Sequence, residues 1–460
     1  MAELNDGLDY SQDFKLISCK ILFSNGNAYE MKPMVVELNY FEDLFFQGIT
    51  GNFVLVDTNN FISKFGMTGN EYVYISFDKP GLDNPIERVF RIFKVSERML
   101  VKEQTEQYAV HFCSEEILLS EQHKVSKSYP GKNIVEIVQD ILTNTLKVNP
   151  RKLLNSNFEK TSGTYNFIVP NLKPFEAISW LSTYAIPDEK LTQGASFLFY
   201  ENRDGYNFRS LLSLYKSKPV LTYHYSAKNI NSTDDNRVKD MDQEVVNVLR
   251  YEFVKCFDML DNTMNGMFSN RLISIDPLQR NFNVTDFDYD TYINDTTKTT
   301  KLNSYGLMNN AQNRLGEQNN NVPQSLLKVV TTNAGQSLNK YIADRVGMTK
   351  EINIETFVPY RTTQLAQIDS TKLRLVVPGN MTIKVGDVIT FNLPSTELVD
   401  TDGRKLDPYY SGNYLITALR HKMDQENRFE TILELSKESS ATMYPNFSND
   451  LPIWKTVREE

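Results

Sequence analysis

The stretch GNYLITALRHKMDQENRFETILELSKES (Gly412–Ser439) decides the fold, because both of its halves have the pattern of a β-strand. YLITALRH alternates loosely between apolar and polar residues, FETILELS alternates well, and the polar DQEN between them is typical of a hairpin connection. The stretch also contains His421, one of only four histidines in the chain. It therefore predicts a β-hairpin whose histidine serves either chemistry or packing.

The length and composition of the chain predict several packed domains and no membrane segment. With 460 residues, of which 40% are hydrophobic and 12% aromatic, the chain can form roughly two to four cores. No run approaches the ~18 uncharged apolar residues of a membrane helix, and the first residues, MAELNDGLDYSQDF, are acidic where a signal peptide is basic and then apolar. We expect synthesis in the cytosol of the producing cell and no membrane partner.

The net charge of −9 argues against a protein that grips nucleic acid through its phosphates. Residues 1–120 carry 18 acidic and 10 basic residues, which is nearly the whole excess. This acidic segment serves either solubility or the repulsion of anions that pass close to the surface.

The cysteines and histidines indicate neither a disulfide framework nor a zinc site. Their spacing includes no CxxC, HExxH or HxH pattern, so a local metal motif is absent from the sequence. We interpret all three cysteines as small buried residues and His421 as a partly exposed strand residue. The residues in question are Cys19, Cys113, Cys256, His111, His123, His224 and His421.

Other chemical motifs fail as well. DTDGRKLD (Asp400–Asp407) lacks two calcium ligands of an EF-hand, because Leu398 and Tyr409 stand where acids are needed, and it predicts a turn between strands. GxSxG, GxGxxG and GxxxxGK[ST] do not occur. A pair of catalytic carboxylates leaves no local signature and stays open. The abundant aromatic residues are interpreted as core packing. We predict no catalytic, cofactor-binding or metal residues, no cofactor, and no enzymatic activity.

The order of periodicities predicts a β-rich chain with an α+β insertion. Short β-rich runs from Phe14 to Phe112 indicate a sandwich or barrel. Ser128–Leu146 has apolar residues at helical spacing, Lys173–Ile186 predicts a second helix with Pro174 in its first turn, and SFLFYENRDGYNFRSL predicts a hairpin around NRDG. VVNVLRYEFV is either helix or strand. The polar, Asn-rich stretch that follows predicts an extended arm that orders only against a partner.

Three segments near the start of the chain resemble three near its end, in the same order. This indicates an internal duplication, for which chance similarity between amphipathic strands is the alternative. The matched pairs are Gly69–Pro80 with Val385–Pro394, Val89–Met99 with Asn413–Met423, and Gln107–Glu116 with Arg428–Glu438.

Three further stretches together resemble one protein family. YFEDLFFQGITGNFVLVDTNNFISKFGMTGNEYVYISF has a Gly, a strand that ends in Asp, and a Gly-x-Glu before the next strand. YNFIVPNLKPFEAISWLSTYAI has a Phe-Ile-x-Pro strand before a Pro-Phe-x-Ala-Ile helix. SNRLISIDPLQRNFNVTDFDYD and the opening hairpin are similar to a connecting arm and a closing hairpin. The positions in the first stretch are Gly51, Asp57, Gly69 and Glu71.

The family that these stretches resemble is that of the baseplate hub proteins of contractile-tailed phages, related to the late control D tail proteins and to the amino-terminal part of type VI secretion spikes. The resemblance implies a mainly β fold with two similar β-barrel tube domains and a peripheral α+β domain. The implied bounds are 1–117 for the first tube domain, 118–244 and 256–353 for the α+β domain with its arm at 294–324, 245–255 and 354–440 for the second tube domain, and 441–460 for a tail.

The resemblance also implies a mechanical function. Three chains would form a ring of six barrels that joins a sixfold tail tube to a threefold central spike and leaves a channel through which DNA passes without specific binding during ejection. The implied partners are the homotrimer, the tube protein, the spike protein and, through the arm, a wedge component. The implied location is the virion baseplate, after synthesis in the host cytoplasm. An acidic channel wall, a glycan-binding host-surface module and a cell-wall hydrolase are the further hypotheses.

Overall fold

The structure is a computed structural model that describes residues 15–23, 25–78, 86–188, 196–225, 246–277, 280–295, 301–307, 326–331, 354–395, 405–424 and 428–443. The strands are β1 (Lys15–Leu22), β2 (Ala28–Glu30), β3 (Val35–Asp43), β4 (Thr50–Asp57), β5 (Tyr72–Asp78), β6 (Ile86–Lys102), β7 (Thr105–Cys113), β8 (Val125–Lys132), β9 (Tyr165–Leu172), β10 (Phe197–Asn202), β11 (Gly205–Ser210), β12 (Thr222–His224), β13 (Arg250–Lys255), β14 (Ser269–Asp276), β15 (Asn281–Asp288), β16 (Tyr305–Gly306), β17 (Leu327–Thr331), β18 (Lys372–Pro378), β19 (Val388–Asn392), β20 (Gly412–Asp424), β21 (Phe429–Ser436) and β22 (Ser439–Ser440).

The helices are short and lie between the strands. The α-helices are α1 (Phe61–Phe65), α2 (Glu115–Gln122), α3 (Ile134–Asp140), α4 (Pro174–Ser182), α5 (Leu211–Tyr215), α6 (Met259–Met264), α7 (Tyr289–Asn294) and α8 (Val358–Ile368). Turns of 3₁₀-helix occupy Lys32–Met34, Pro150–Lys152, Asn155–Asn157 and Ile354–Thr356, and Ile141–Thr145 is a π-helical turn. Within the described ranges, no helix has the length and apolar character that crossing a membrane requires.

Most strands belong to one 13-stranded sheet, as the prediction of a mainly β fold requires. Its hydrogen-bonded order is β13-β18-β21-β20-β3-β4-β7-β6-β5-β1-β2, with β19 on β20 and β12 on β19. The strands alternate buried and less buried residues, so one face packs on apolar cores and the other meets solvent. We call the second face the open face.

One strand order occurs twice in this sheet. The first sheet unit, β3-β4-β7-β6-β5-β1, has its counterpart in the second sheet unit, β13-β18-β21-β20-β19-β12. Every pairing has the same direction in both units except the last, because β1 is antiparallel to β5 whereas β12 is parallel to β19. The three segment pairs matched in the sequence fall on β5 and β19, β6 and β20, and β7 and β21, so the sequence similarity has a structural counterpart.

The two units also share their register. Arg91 lies opposite Cys113 in the first unit, as Leu415 lies opposite Ser436 in the second. One residue further along, both pairings are interrupted by a β-bulge, after Ile92 and after Ile416. A bulge at the same place is a specific feature that chance similarity between strands does not explain.

Closed barrels are not found among the described residues. The sheet ends at β2 and β13, which have no further strand on their outer sides, and the branch ends at β12. The prediction of two closed β-barrels is therefore not confirmed. Closing the second unit would require β12 to pair along β13, and the described contact there is limited to His224, which bridges Asn247 and exchanges hydrogen bonds with Val246 and Val248 just before β13.

Four apolar clusters account for the core. One lies under each sheet unit, one between α3, α4 and the β8–β9 and β10–β11 hairpins, and a small one under β14 and β15. Fully buried members of the first three are Phe53, Phe112, Leu375, Leu433, Ile137 and Phe208.

The predicted helices are shorter in the structure. Over Ser128–Leu146 the helix begins only after Asn133, whose side chain accepts a hydrogen bond from the amide of Val135 at 3.0 Å. The preceding residues form β8, because the residue before Pro130 avoids helical backbone. The helix predicted at Lys173–Ile186 is α4, and the predicted hairpin is β10–β11.

The structure also specifies two segments that the sequence left less defined. The stretch expected to be a connecting arm, within 256–353, forms the hairpin β14–β15, which pairs with β17 in a separate three-stranded sheet. VVNVLRYEFV contributes strand β13. Most of 294–324 and of 441–460 lies outside the described residues, but Leu302 donates its amide to Glu438 at 2.6 Å and β16 pairs with β22. This part of the arm is ordered by its own chain.

We expect Gly51→Ala to lower the free energy of unfolding by about 1–3 kcal/mol, because overpacking a rigid core forces neighbours to move. A Cβ there would lie 2.2 Å from Cζ of buried Phe112 and 2.5 Å from the backbone oxygen of Asn39. Denaturant titration measures the change. Thr50→Ala, on the adjacent strand position that faces the open side, is the control, and an equal effect of both variants would contradict the argument.

Candidate assembly surface

The joint between the two sheet units is the most extensive contact that the fold makes between them. β20 divides one edge between two partners: Gly412–Leu415 pairs with β19, and Ala418–Asp424 pairs with β3. The antiparallel joint runs over seven residue pairs, from Ala418 opposite Asp43 to Asp424 opposite Glu37. Backbone hydrogen bonds of this kind join the two units into one continuous sheet.

His421 lies on the core side of this joint and is only 2% exposed, so the prediction of a partly exposed residue is wrong. The alternation of β20 places it beside Leu419 and Met423 on the buried face. Its Nδ1 is hydrogen-bonded to Oγ1 of Thr431 at 3.0 Å, and its ring stacks on Tyr40 with centroids 5.8 Å apart. His421 therefore packs at the joint, which is one of the two roles that the sequence left open.

Complementary charges lie on the open side of the joint. Arg420 donates from Nε to Asn39 at 2.8 Å, and both Arg420 and Lys422 approach the carboxylate of Glu37, at 3.3 and 3.4 Å. Partial burial opposes ionisation of Glu37, but the hydrogen bond from Asn39 and the charge of Lys422 lower its pKa. Cross-strand pairs of opposite charge stabilise antiparallel strands.

The charge pairing continues across the open face of the second unit. Arg374 lies 3.4 Å from Glu252, and Lys372 lies 3.9 Å from Glu434. Where the units meet, the open face forms a concavity of about 740 Å³, lined among others by Phe41, Arg250, Arg374, Arg420 and Glu434. The lining combines charged side chains of both signs with apolar ones such as Phe41, and these residues form no convergent catalytic constellation.

A buried carboxylate connects the units beneath the sheet. Glu42 of β3 accepts hydrogen bonds from the Val385 amide at 3.1 Å and from the Tyr40 hydroxyl at 3.0 Å. Burial raises its pKa to about 7, although these hydrogen bonds act in the opposite direction. Glu42 thus satisfies a backbone donor of the second unit from the first.

A second buried network attaches the α+β region to the first unit. Lys152 lies 2.9 Å from Glu116 and 3.0 Å from Glu201, and Glu201 also accepts from the Ser114 hydroxyl at 2.5 Å and the Ile49 amide at 3.2 Å. Burial opposes the charge on Lys152, but the two carboxylates raise its pKa. Every member is satisfied, so this network fixes the position of the α+β region.

The four motif residues of the first stretch serve backbone geometry. Gly51 leaves room for Phe112 of β7, and Asp57 accepts from the Phe61 amide at 2.6 Å at the start of α1. Glu71 accepts from the amides of Thr68 and of Gly69, which has a φ of +87°. These contacts form turns and packing, not a chemical site.

The remaining histidines and cysteines are dispersed. Among the described residues, no group of three potential metal ligands occurs. His111 is hydrogen-bonded to Ser96, His123 to the Leu119 carbonyl and His224 to Asn392. Cys19 and Cys113 are buried as predicted, whereas Cys256 is exposed, so that prediction is wrong for Cys256. It follows the edge strand β13, where the sheet ends.

The turn predicted at Asp400–Asp407 lies largely outside the described residues. On its two sides, the Ser395 amide donates to the Lys405 carbonyl at 2.6 Å, and Pro394 forms a bridge with Leu406. The segment between them stays a predicted turn.

Comparisons with known proteins show what the whole chain is similar to. No protein-family model matches the chain. Over 402 residues, 86% of this chain and 88% of the relative, it is 22% identical to a "Probable baseplate hub protein gp334" of Vibrio phage KVP40. The resemblance to phage baseplate hub proteins inferred from the sequence is confirmed.

Two solved structures of tail proteins are also similar to the chain. A tail protein from Neisseria meningitidis MC58 is 10% identical and has a TM-score of 0.49. The match includes 94% of this chain and 100% of that protein. The 43 kDa tail protein of prophage MuSo2 from Shewanella oneidensis is 8% identical and has a TM-score of 0.48. The match includes 92% of this chain and 98% of that protein.

We expect Glu42→Gln to change how stability depends on pH. Because the pKa of Glu42 rises from 4.5 in the unfolded chain to about 7 on folding, the folded state binds more protons between these values, and its stability falls as pH rises through them. Glutamine keeps one acceptor oxygen, for the Val385 amide, and replaces the other by an NH2 group that can donate to the Tyr40 hydroxyl, all without charge. The variant should match the wild type near pH 4 and exceed it by up to about 3 kcal/mol at pH 8.

Thermal unfolding from pH 4 to 8 measures this difference. Glu37→Gln is the control on the other face of β3, where the folded pKa is lowered, so its removal should cost stability at pH 8. Parallel profiles for wild type and Glu42→Gln would contradict the assignment.

Proposed function

Because the chain resembles phage baseplate hub proteins, we propose that it is a non-enzymatic hub of a contractile phage tail, a symmetry adaptor between tube and spike. The observation that carries the proposal is the repeated strand order of two sheet units joined edge to edge. A chain with two equivalent units presents two equivalent surfaces to a neighbour. A rotationally symmetric assembly can use both.

In the proposed assembly, three chains form a ring. Three copies of two units give true threefold and approximate sixfold symmetry, which is the geometry needed to join a sixfold tube protein to a threefold spike protein. Closed rotational symmetry also limits the assembly to a defined size. The tube protein, the spike protein and a wedge component are the proposed partners.

The proposed domain organisation follows from this arrangement. The first sheet unit serves as a tube domain at 1–117, and the second, apart from its strand β12, as a tube domain at 245–255 with 354–440. The α+β region at 118–244 and 256–353, from which β12 joins the second unit, lies outside the ring. The Lys152 network supports this division, because it holds the α+β region to the first unit through a few buried charges. The proposed location is the virion baseplate, after synthesis in the host cytoplasm.

The open face is the proposed wall of a DNA channel during ejection. Several of its described charges are paired, as Arg420 with Glu37 and Arg374 with Glu252 are, and an acidic wall stays a separate hypothesis. Basic groups that are already neutralised by neighbours gain little from counterion release on meeting phosphates. Paired charges therefore keep DNA from sticking as effectively as an acidic wall would.

We expect the purified chain to form a species near three times its mass of 53.1 kDa. Light scattering behind a size-exclusion column, over a range of concentrations, measures it. A monomer at every concentration, combined with saturable binding to whole host cells or clearing on peptidoglycan, would replace the hub with a surface-binding module or a hydrolase.

We also expect no measurable affinity for double-stranded DNA at physiological salt. The double variant Glu37→Gln with Glu252→Gln removes the carboxylates beside Arg420, Lys422 and Arg374 on the open face and should produce weak, salt-sensitive binding. Fluorescence anisotropy with a labelled duplex measures both proteins. Tight binding by the wild type would exclude the open face as a passive channel wall.

A further inference from the structure

The far half of β6 has an unpaired edge. β5 pairs with Ile86–Arg91 only, and beyond Ile92 no described strand lies on that side. The side chains there are apolar and exposed: Leu100 is 69% exposed, Met99 53% and Val101 49%. A long, apolar, exposed edge is an aggregation hazard unless another strand covers it.

The outer edge of β13 is the complementary feature. β13 has β18 as its one strand neighbour among the described strands, and the contact of His224 with Val246 and Val248 ends before β13 begins, so its outer edge is open from Arg250 onward. It is a short edge strand with mixed character, in which Arg250 and Glu252 point to the open face and Tyr251 and Phe253 pack partly against the core of the second unit. Both of these edges face away from their own units.

The internal joint shows what covers such edges. In the second unit, the segment of β20 beyond its bulge pairs with β3. By position in the two units, β6 corresponds to β20, and β13 corresponds to β3. Among the described strands, the joint between the units is therefore β20 with β3, and the strands of the equivalent joint, β6 and β13, do not pair with each other.

We infer that β6 of one copy pairs antiparallel with β13 of the next copy, in the register of the internal joint. The alignment of β6 with β20 must allow for one extra bulge in β6. At this bulge Glu97, which has a φ of +55°, and Arg98 both lie opposite Tyr108. Met99, opposite Gln107, then takes the place of Lys422, and Leu100, opposite Glu106, takes that of Met423.

The partner positions follow from β18. Tyr251 lies opposite Leu375 as Leu38 lies opposite Phe53, and Glu252 lies opposite Arg374 as Asn39 lies opposite Asn52. Since the internal joint pairs Met423 with Leu38 and Lys422 with Asn39, the joint between copies places Leu100 opposite Tyr251 and Met99 opposite Glu252.

The side chains at this register fit one another. On the core side, Leu100 meets the ring of Tyr251, and Arg98 comes over Phe253 where the internal joint stacks His421 on Tyr40. Aromatic and aliphatic cross-strand pairs stabilise sheets, and the pairing buries the exposed side chain of Leu100. The joint also satisfies the open backbone groups of both edges.

This inference rests on the proposed trimer and gives it a residue-level interface. Each copy has one β6 edge and one β13 edge, so the contact is heterologous and produces a ring when its rotation closes. If every joint repeats the geometry of the internal one, the six units of three chains form one continuous sheet around the channel.

The test is a disulfide between copies at the inferred register. Met99→Cys with Glu252→Cys is made in a chain that also carries Cys256→Ser, because Cys256 is an exposed native thiol at the end of β13. Directly opposite residues of antiparallel strands are within reach of a disulfide. Under mild oxidation we expect covalent dimers and trimers on a non-reducing gel, and nothing larger.

The matched control is Met99→Cys with Arg250→Cys, which is two residues out of register and should cross-link at least tenfold less. A trimer by light scattering that cross-links in neither variant would overturn this joint and leave the trimer standing. Absence of both the trimer and the cross-link would overturn the joint and the proposed ring together. A ladder beyond the trimer would show the contact in an open chain and overturn ring closure.

A second variant tests the joint without cysteines. Leu100→Lys with Val101→Lys places charges on an exposed edge, so the melting temperature of the folded chain should stay within a few degrees while the trimer dissociates. Phe282→Lys, at an exposed position of β15 in the separate sheet, is the control that should leave the trimer intact. A trimer that survives both variants equally would count against the joint.

Discussion

The divided edge of β20 is the constraint on which the rest of the structure depends. A β-strand has two edges, and β20 gives one to β21 and shares the other between β19 and β3. β20 therefore belongs to both units and joins them into one sheet. Among the described strands, the outer edges of β2 and of β13 have no further strand beside them, and such edges are available for assembly.

The placement of buried charges follows from this architecture. Each junction between parts of the chain contains a carboxylate that accepts backbone or side-chain donors: Glu42 between the sheet units, Glu201 beneath the α+β region, and Glu438 where the arm returns. Burial raises the pKa of Glu42 and of Glu438 to about 7. Burying these carboxylates lowers stability. They nevertheless specify which surfaces meet, because any other arrangement would leave the backbone or side-chain donors bonded to them buried without an acceptor.

The open face shows that local charge pairing can differ from what the net charge of a segment suggests. The sequence places nearly all of the net charge of −9 in the first 120 residues, which suggested an acidic wall. In the sheet, however, acidic residues such as Glu37 meet basic residues from a strand almost 400 positions away in the chain, among them Arg420 and Lys422. Only cross-strand register determines that local balance.

The sequence by itself determined the local elements and their order. Alternation identified the strands of both units, the matched segments identified their equivalence, and the motifs around Gly51 and Pro174 indicated the resemblance to baseplate hub proteins. These features depend on residues close together in the chain, so local patterns are enough to reveal them. The length of α3 was misjudged because Pro130 limits the helix more than apolar spacing extends it.

Only the tertiary structure decided how the elements meet. The pairing of β20 with β3, the burial of His421 and the exposure of Cys256 all depend on contacts between distant segments. Strand order and register across such separations leave no periodic mark in a single sequence, since an edge strand and a central strand have similar patterns. The sequence thus specified two similar units, and the shared edge of β20 decided that they form one sheet.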